Sequence, residues 1–161
     1  MEAEIRIDDK DNIARISQMT QKTNQFNLTT NRYSEADIKQ LTESEKSDVM
    51  CLKLSDRFGD SGIVGVCILQ YFGTRAVIDT LLMSCRALGR CVEDILLIQA
   101  LKLAKKQECK SIIGEYFPTK KNKQVESFFP RHNFEEINGK NNKQHQKFIL
   151  NLNKIIKEYP K

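Results

Sequence analysis

The chain has 161 residues, 40% hydrophobic and 29% charged, enough for one globular domain with a sizeable core. No apolar run reaches the roughly 18 residues of a membrane span, and Met1-Glu-Ala-Glu-Ile-Arg6 lacks the apolar region of a secretory signal. Five cysteines, an odd number, sit mostly in apolar segments, which speaks against a disulfide scaffold and for reduced thiols in a cytoplasmic protein. With two histidines and no CxxC spacing, no metal site is expected. The net charge of +5 is uneven: residues 118–161 hold ten Lys/Arg against four Asp/Glu, giving +6, so residues 1–117 carry −1. A basic C-terminal quarter suits an acidic partner or a phosphate-bearing cofactor. Its basic residues are not interleaved with aromatics, so nucleic acid is not expected as a partner.

Asp11 is placed to cap a helix carrying Ile13, Ile16 and Met19 on one face. The amide- and hydroxyl-rich stretch Thr20–Thr30 follows, and its short polar side chains favour turns over a regular element. Ser34 and Asp37 fit a capping box for a short helix lined by Ala36, Ile38 and Leu41. From Val49 to Arg57, Met50, Leu52 and Leu54 alternate with Cys51, Lys53 and Ser55, the period of a strand. Phe58–Gly62 reads as a tight connection. Two more strands, Ile63–Tyr71 and Arg75–Ser84, are joined through Gly73-Thr74 to complete an antiparallel meander. Val92–Gln107 is the strongest helix, with Glu93 and Asp94 in its first turn and lysines in its last. Ser111–Phe117 is a fourth strand, parallel to the third because a helix crosses between them. Lys123–Phe129 reads as a short helix closed by Pro130, and residues 134–137 and 146–152 as a final strand pair.

The junction between the third strand and the long helix holds Arg86-x-x-Gly89-x-Cys91. A helix N-terminus has unpaired N–H groups and the positive end of the dipole, so a basic turn delivered there suits phosphate. The plainer alternative is a strand–turn–helix junction punctuated by glycine.

This order of elements, an α/β fold with a mixed sheet, resembles that of the GNAT N-acetyltransferases, and Arg86-Ala-Leu-Gly-Arg-Cys91 is similar to their pyrophosphate-binding motif, with Cys91 departing at the last position. The resemblance implies a GNAT-like domain over residues 1–161, with helices over about residues 11–45 and the sheet and cofactor-site core over about 49–153. It also implies coenzyme A or a carrier protein's phosphopantetheine as cofactor. Arg86, Gly89 and Arg90 would hold the diphosphate, and Asn122 would lie near the pantetheine arm. That arm is expected to run along the third strand and pair with an open backbone edge. The runs Asn24-Gln-Phe-Asn-Leu-Thr-Thr30, Arg32-Tyr33, Asp56–Gly65 and Leu82-Met-Ser-Cys-Arg86, with Thr119 and Lys121-Asn122, further resemble the C-terminal half of the FkbH-like proteins of methoxymalonyl-carrier-protein biosynthesis. Full-length relatives carry an N-terminal HAD-type phosphatase domain. Asp9-Lys-Asp11 mimics only part of its signature, so the chain is expected to be an excised C-terminal domain or a stand-alone relative.

Several residues are candidates for chemistry. Cys85, beside Arg86 and a helix N-terminus, would have a lowered pKa and carry an acyl unit transiently; the alternative is a structural thiol. His132, Asp79 and Glu115 are candidate bases, and Tyr33 and Tyr116 candidate proton donors. The tyrosine that the GNAT resemblance would place in the short helix is replaced by Phe128-Phe129. Asn24, Asn27 and Thr29 are taken as a wall of the acceptor groove. The expected function is handling of a small, glyceryl-like acyl unit on a pantetheine thiol, with an acyl carrier protein and a HAD-type domain as partners. The alternatives are a stand-alone acetyl-CoA-dependent N-acetyltransferase and a non-catalytic module that recruits the carrier protein.

Overall fold

The computed structural model describes residues 2–56, 59–84, 87, 92–137 and 144–155. Eight strands among them form one mixed sheet: β1 (Glu2–Ile7), β2 (Phe26–Asn27), β3 (Ser47–Asp56), β4 (Gly59–Phe72), β5 (Arg75–Met83), β6 (Ser111–Tyr116), β7 (Glu135–Glu136) and β8 (Gln146–Asn151). The order across the sheet is β1-β3-β4-β5-β6-β8-β7, with β2 paired to β5. Only β5 and β6 run parallel; the other pairs are antiparallel. That follows from chemistry of connection: only two residues separate β3 from β4 and β4 from β5, and a helical crossover joins β5 to β6.

Both faces of the sheet are covered. Helices α1 (Ile13–Lys22) and α2 (Glu35–Glu43) lie on one, where Ile16, Met19 and Ile38 pack on Val49, Cys51, Val66, Ile68 and Leu82. Helix α3 (Glu93–Lys106) lies on the other, with Leu96, Leu97, Ala100 and Leu101 against Leu52, Cys67, Leu69, Ile78 and Ile112. A second aromatic group joins this core from the four-residue helix α4 (Phe128–Arg131): Phe128 meets Phe26 edge-on at 5.6 Å, and Phe129 packs on Phe134 and Phe148. Phe129 can lie flat on β6 because Gly114 has no side chain; a Cβ there would stand 2.5 Å from the ring. A last short helix, α5 (Leu152–Ile155), follows β8. No described helix is long and apolar enough to cross a membrane.

The meander, the parallel β5–β6 pair, the capping box at Ser34 and the β7–β8 pair match the sequence reading. One strand was missed in the sequence and four local expectations are corrected. Glu2–Ile7 is an edge strand, hidden in the sequence because charged Glu4 and Arg6 alternate with Ile5 and Ile7 as edge strands permit. Asp9, not Asp11, supplies the cap, accepting from Asp11 N at 2.9 Å to start a 3-10 turn before α1. Phe26-Asn27 forms a strand inside the polar stretch. Gly59–Gly62 belongs to β4, not to the connection. Pro130 lies within α4, where its missing N–H is one of the first-turn groups with no helical partner.

Candidate functional site

Strands β5 and β6 pair only from Arg75↔Ser111 to Ile78↔Gly114, then part, although β5 continues to Met83 and β6 to Tyr116. At the parting, the β4–β5 register slips: Ile68 faces Thr80 and Leu69 faces Ile78, so Asp79 is the extra residue of a β-bulge. A bulge re-aims a side chain and leaves its backbone outside the ladder. The Asp79 carbonyl accordingly accepts from the Thr29 hydroxyl at 2.7 Å and the Asn31 amide at 3.1 Å. Its carboxylate accepts from the Tyr33 hydroxyl at 2.5 Å and the Thr80 hydroxyl at 2.9 Å. Burial, reinforced by the Asp79 carboxylate, raises the Tyr33 pKa, so this phenol keeps its proton across the physiological range.

Beyond Asp79 the gap between the strands is filled by the chain itself. Phe26 and Asn27 pair with Met83 and Leu82, and Leu28 N–H donates to the Leu81 carbonyl. On the far side, the Leu28 carbonyl accepts from Phe117 N–H at 2.9 Å, and the Asn27 carbonyl accepts from the Asn122 side chain at 2.9 Å. The expectation of an open β5 edge for a pantetheine arm is therefore corrected: from residue 79 to 83 that edge is paired with residues 26–31. An arm bound in this arrangement takes another course.

Two residues expected at the site instead hold its frame together. Asn122 is fully buried; its side-chain oxygen accepts from Thr119 N–H at 2.8 Å and its amide donates also to the Phe117 carbonyl at 3.0 Å. Asn27, also fully buried, donates to the Thr23 carbonyl and accepts from Thr30 N–H. Thr29 is spent on Asp79. Tyr116 is buried against Asn122. Of the three groove residues, Asn24 lines a cleft, and Arg32 fixes it: the guanidinium donates to Asn24 Oδ1 at 2.6 Å and to the Thr20 and Thr23 carbonyls at the end of α1.

The remaining candidate bases have partners of their own. Glu115 holds His145 at 2.6 Å, whose ring stacks on Phe117. His132 Nε2 lies 2.9 Å from Asp94 in the first turn of α3, and its ring touches Phe128. Burial lowers the His132 pKa despite Asp94. Cys85, Arg86, Gly89 and Arg90 lie outside the described residues.

The cleft that takes Asn24 has a volume of about 650 Å³ and sits where α1, the 23–26 segment, the end of β5 and the turn after β6 meet. Arg15, Lys22, Lys120 and Lys121 line it with Ser84, and none of its described lining residues is acidic. Arg15 and Lys22 were missed in the sequence; Lys120 and Lys121 stood out there, with Lys123, only as basic residues suited to docking an acidic carrier protein. Among the described residues no group of three His, Cys, Asp or Glu side chains could hold a metal ion.

Neither a protein-family model nor a curated protein matches the sequence. Solved structures do match in shape. The ribosomal-protein-S18-alanine N-acetyltransferase of Escherichia coli superposes with a TM-score of 0.67 at 12% identity, over 92% of this chain and 91% of that one. The fold is that of the GNAT acetyltransferases. The GNAT domain of S. lividans PAT gives 0.71 at 12% identity, over 92% of this chain and 90% of that one. The PaiA N-acetyltransferase of Thermoplasma acidophilum, solved with coenzyme A, gives 0.63 at 16% identity, over 94% and 99%. In this GNAT fold the Asp79–Tyr33 pair lies at the parting of β5 from β6, with Tyr33 packed on the face that α1 and α2 cover.

Proposed function

We propose that this GNAT-fold domain transfers a small acyl unit between a pantetheine thioester, of coenzyme A or of an acyl carrier protein, and a nucleophilic acceptor. The observation that carries the reading is the Asp79–Tyr33 pair, set on a bulge at the point where two parallel strands part. The thioester supplies an activated acyl group and a thiolate leaving group. Asp79 takes the proton of the incoming nucleophile. The Tyr33 hydroxyl has one hydrogen, which the Asp79 carboxylate holds; once Asp79 is protonated, that hydrogen passes to the departing thiolate as the Asp79 proton moves onto the Tyr33 oxygen, which restores the phenol and the carboxylate. Arg86, Gly89 and Arg90 are proposed to bind the diphosphate, and Asn122 to act by holding the 119–122 turn beside the site.

The finer reading follows the FkbH-like runs: a glyceryl-like unit carried on a carrier-protein thiol, with Cys85 as a transient acyl carrier and a HAD-type domain as partner. What supports it is the specificity of those runs, together with the absence of the tyrosine that Phe128-Phe129 replaces.

The test is steady-state kinetics with acyl-CoA against amines and against pantetheine thiols. Asp79→Asn and Tyr33→Phe are each expected to lower kcat by about 100-fold or more, with the fold retained by circular dichroism. Unchanged kcat in both variants overturns the assignment. Intact-mass analysis of wild type and Cys85→Ser then separates a covalent relay from direct transfer.

A further inference from the structure

The cleft beside β5 is a different place from the Asp79–Tyr33 pair and has a different chemistry. Its cations come from two elements distant in sequence, Arg15 and Lys22 from α1 and Lys120 and Lys121 from the turn after β6. None of the four forms an ion pair among the described residues, whereas Arg6 and Lys10 elsewhere on the surface do. Arg15 spends one guanidinium nitrogen on the neutral Gln18. Four like charges converging on one concavity repel one another unless an anion sits between them. The Ser84 hydroxyl in the same lining is buried without a hydrogen-bond partner, an uncommon state for a buried donor. Thr23, Asn24 and Gln25 complete the lining with polar side chains, and Phe26, Met19 and Met83 give it an apolar wall.

We infer that this cleft binds the anionic end, phosphate or carboxylate, of a small acyl acceptor. The inference rests on the acyl-transfer reading for the word acceptor, but the anion site stands on the cleft alone. One feature favours the acceptor over the donor. Its described cations lie on α1 and the 119–121 turn, whereas the first turn of α3 carries Glu93 and Asp94.

The experiment measures binding of inorganic phosphate, glycerol 3-phosphate, glycerate and coenzyme A to the whole chain by calorimetry and amide chemical shifts. Wild type is compared with the exposed pair Lys22→Ala/Lys121→Ala. Expected are shifts at residues 22–25 and 84 with both small anions, and at least about tenfold weaker anion binding in the variant. Coenzyme A affinity is expected to stay the same. No binding of any small anion, or equal binding by variant and wild type, overturns the inference. A parallel fall in coenzyme A affinity overturns the acceptor assignment and makes these cations part of the donor site. If small anions bind as expected while coenzyme A does not bind at all, the anion site holds and the acyl-transfer reading fails.

Discussion

Asp8 shows how one residue can carry a pH dependence that no motif announces. It follows β1 with a φ of 54°, and its carboxylate accepts from Val49 N–H at 2.8 Å. Burial, then a hydrogen bond and charge from Asp48, push its pKa up to about 7, against the pull of the Val49 bond. Tyr71 donates to the same Asp48, and Asp8 keeps its proton further up in pH than a free carboxyl does. In an unfolded chain Asp titrates near about 3.9. Between there and about 7 the folded state holds a proton that the unfolded state has released, so stability falls as pH rises through that window. Asp8→Asn keeps the acceptor oxygen, tolerates the positive φ and supplies a permanent donor towards Asp48. Its Tm is expected to equal that of wild type near pH 4 and exceed it at pH 8. A difference between the two melting curves that does not change with pH would refute this. The pairing was not legible in the sequence, because Asp8 and Asp48 lie 40 positions apart and meet only through the β1–β3 register.

At the scale of elements, the sequence displayed what repeats and concealed what is used once. Period-two alternation exposed β3, the wide apolar stripe exposed α3, and Ser34 with Asp37 exposed the start of α2, because each rests on local chemistry. Strand β2 is only two residues long and polar in context, and its partners are β5, the end of β6 and Asn122. Nothing local favours a strand there; tertiary hydrogen bonding does. For the same reason Asn27, Thr29 and Asn122 read as binding residues, although the fold uses their side chains to join strands that have parted. Asn122 serves three segments at once: β2 through the Asn27 carbonyl, the end of β6 through Phe117 and its own turn through Thr119. Asn122→Ala leaves these groups unpaired in a buried place. A loss of about 1–3 kcal/mol in denaturant unfolding is expected, with proteolytic sensitivity rising in residues 23–31. An unchanged midpoint would mean that water replaces the amide and that β2 is held by its backbone pairing alone.

For the whole molecule, fold and charge distribution point in one direction. The mixed α/β sheet was legible from the order of elements. The meeting of α1 with the 119–121 turn was not, since residues about 100 positions apart contribute to that cleft. Lys120, Lys121 and Lys123 are exposed on that turn and at the start of the next one, in the part of the chain that carries the excess charge. A carrier protein with an acidic surface would be steered to this side by long-range attraction, which acts on the association rate and is screened over about 10 Å at 0.1 M salt. Lys123 lies outside the cleft lining, so reversing it separates docking from small-anion binding. Lys123→Glu is expected to slow association with an acidic carrier protein several-fold at low salt, to lose most of that effect at 0.5 M salt, and to leave phosphate affinity unaltered. Stopped-flow association across a salt series reads all three. A rate that does not respond to the substitution, or a salt slope identical to wild type, would place the docking surface elsewhere on the molecule.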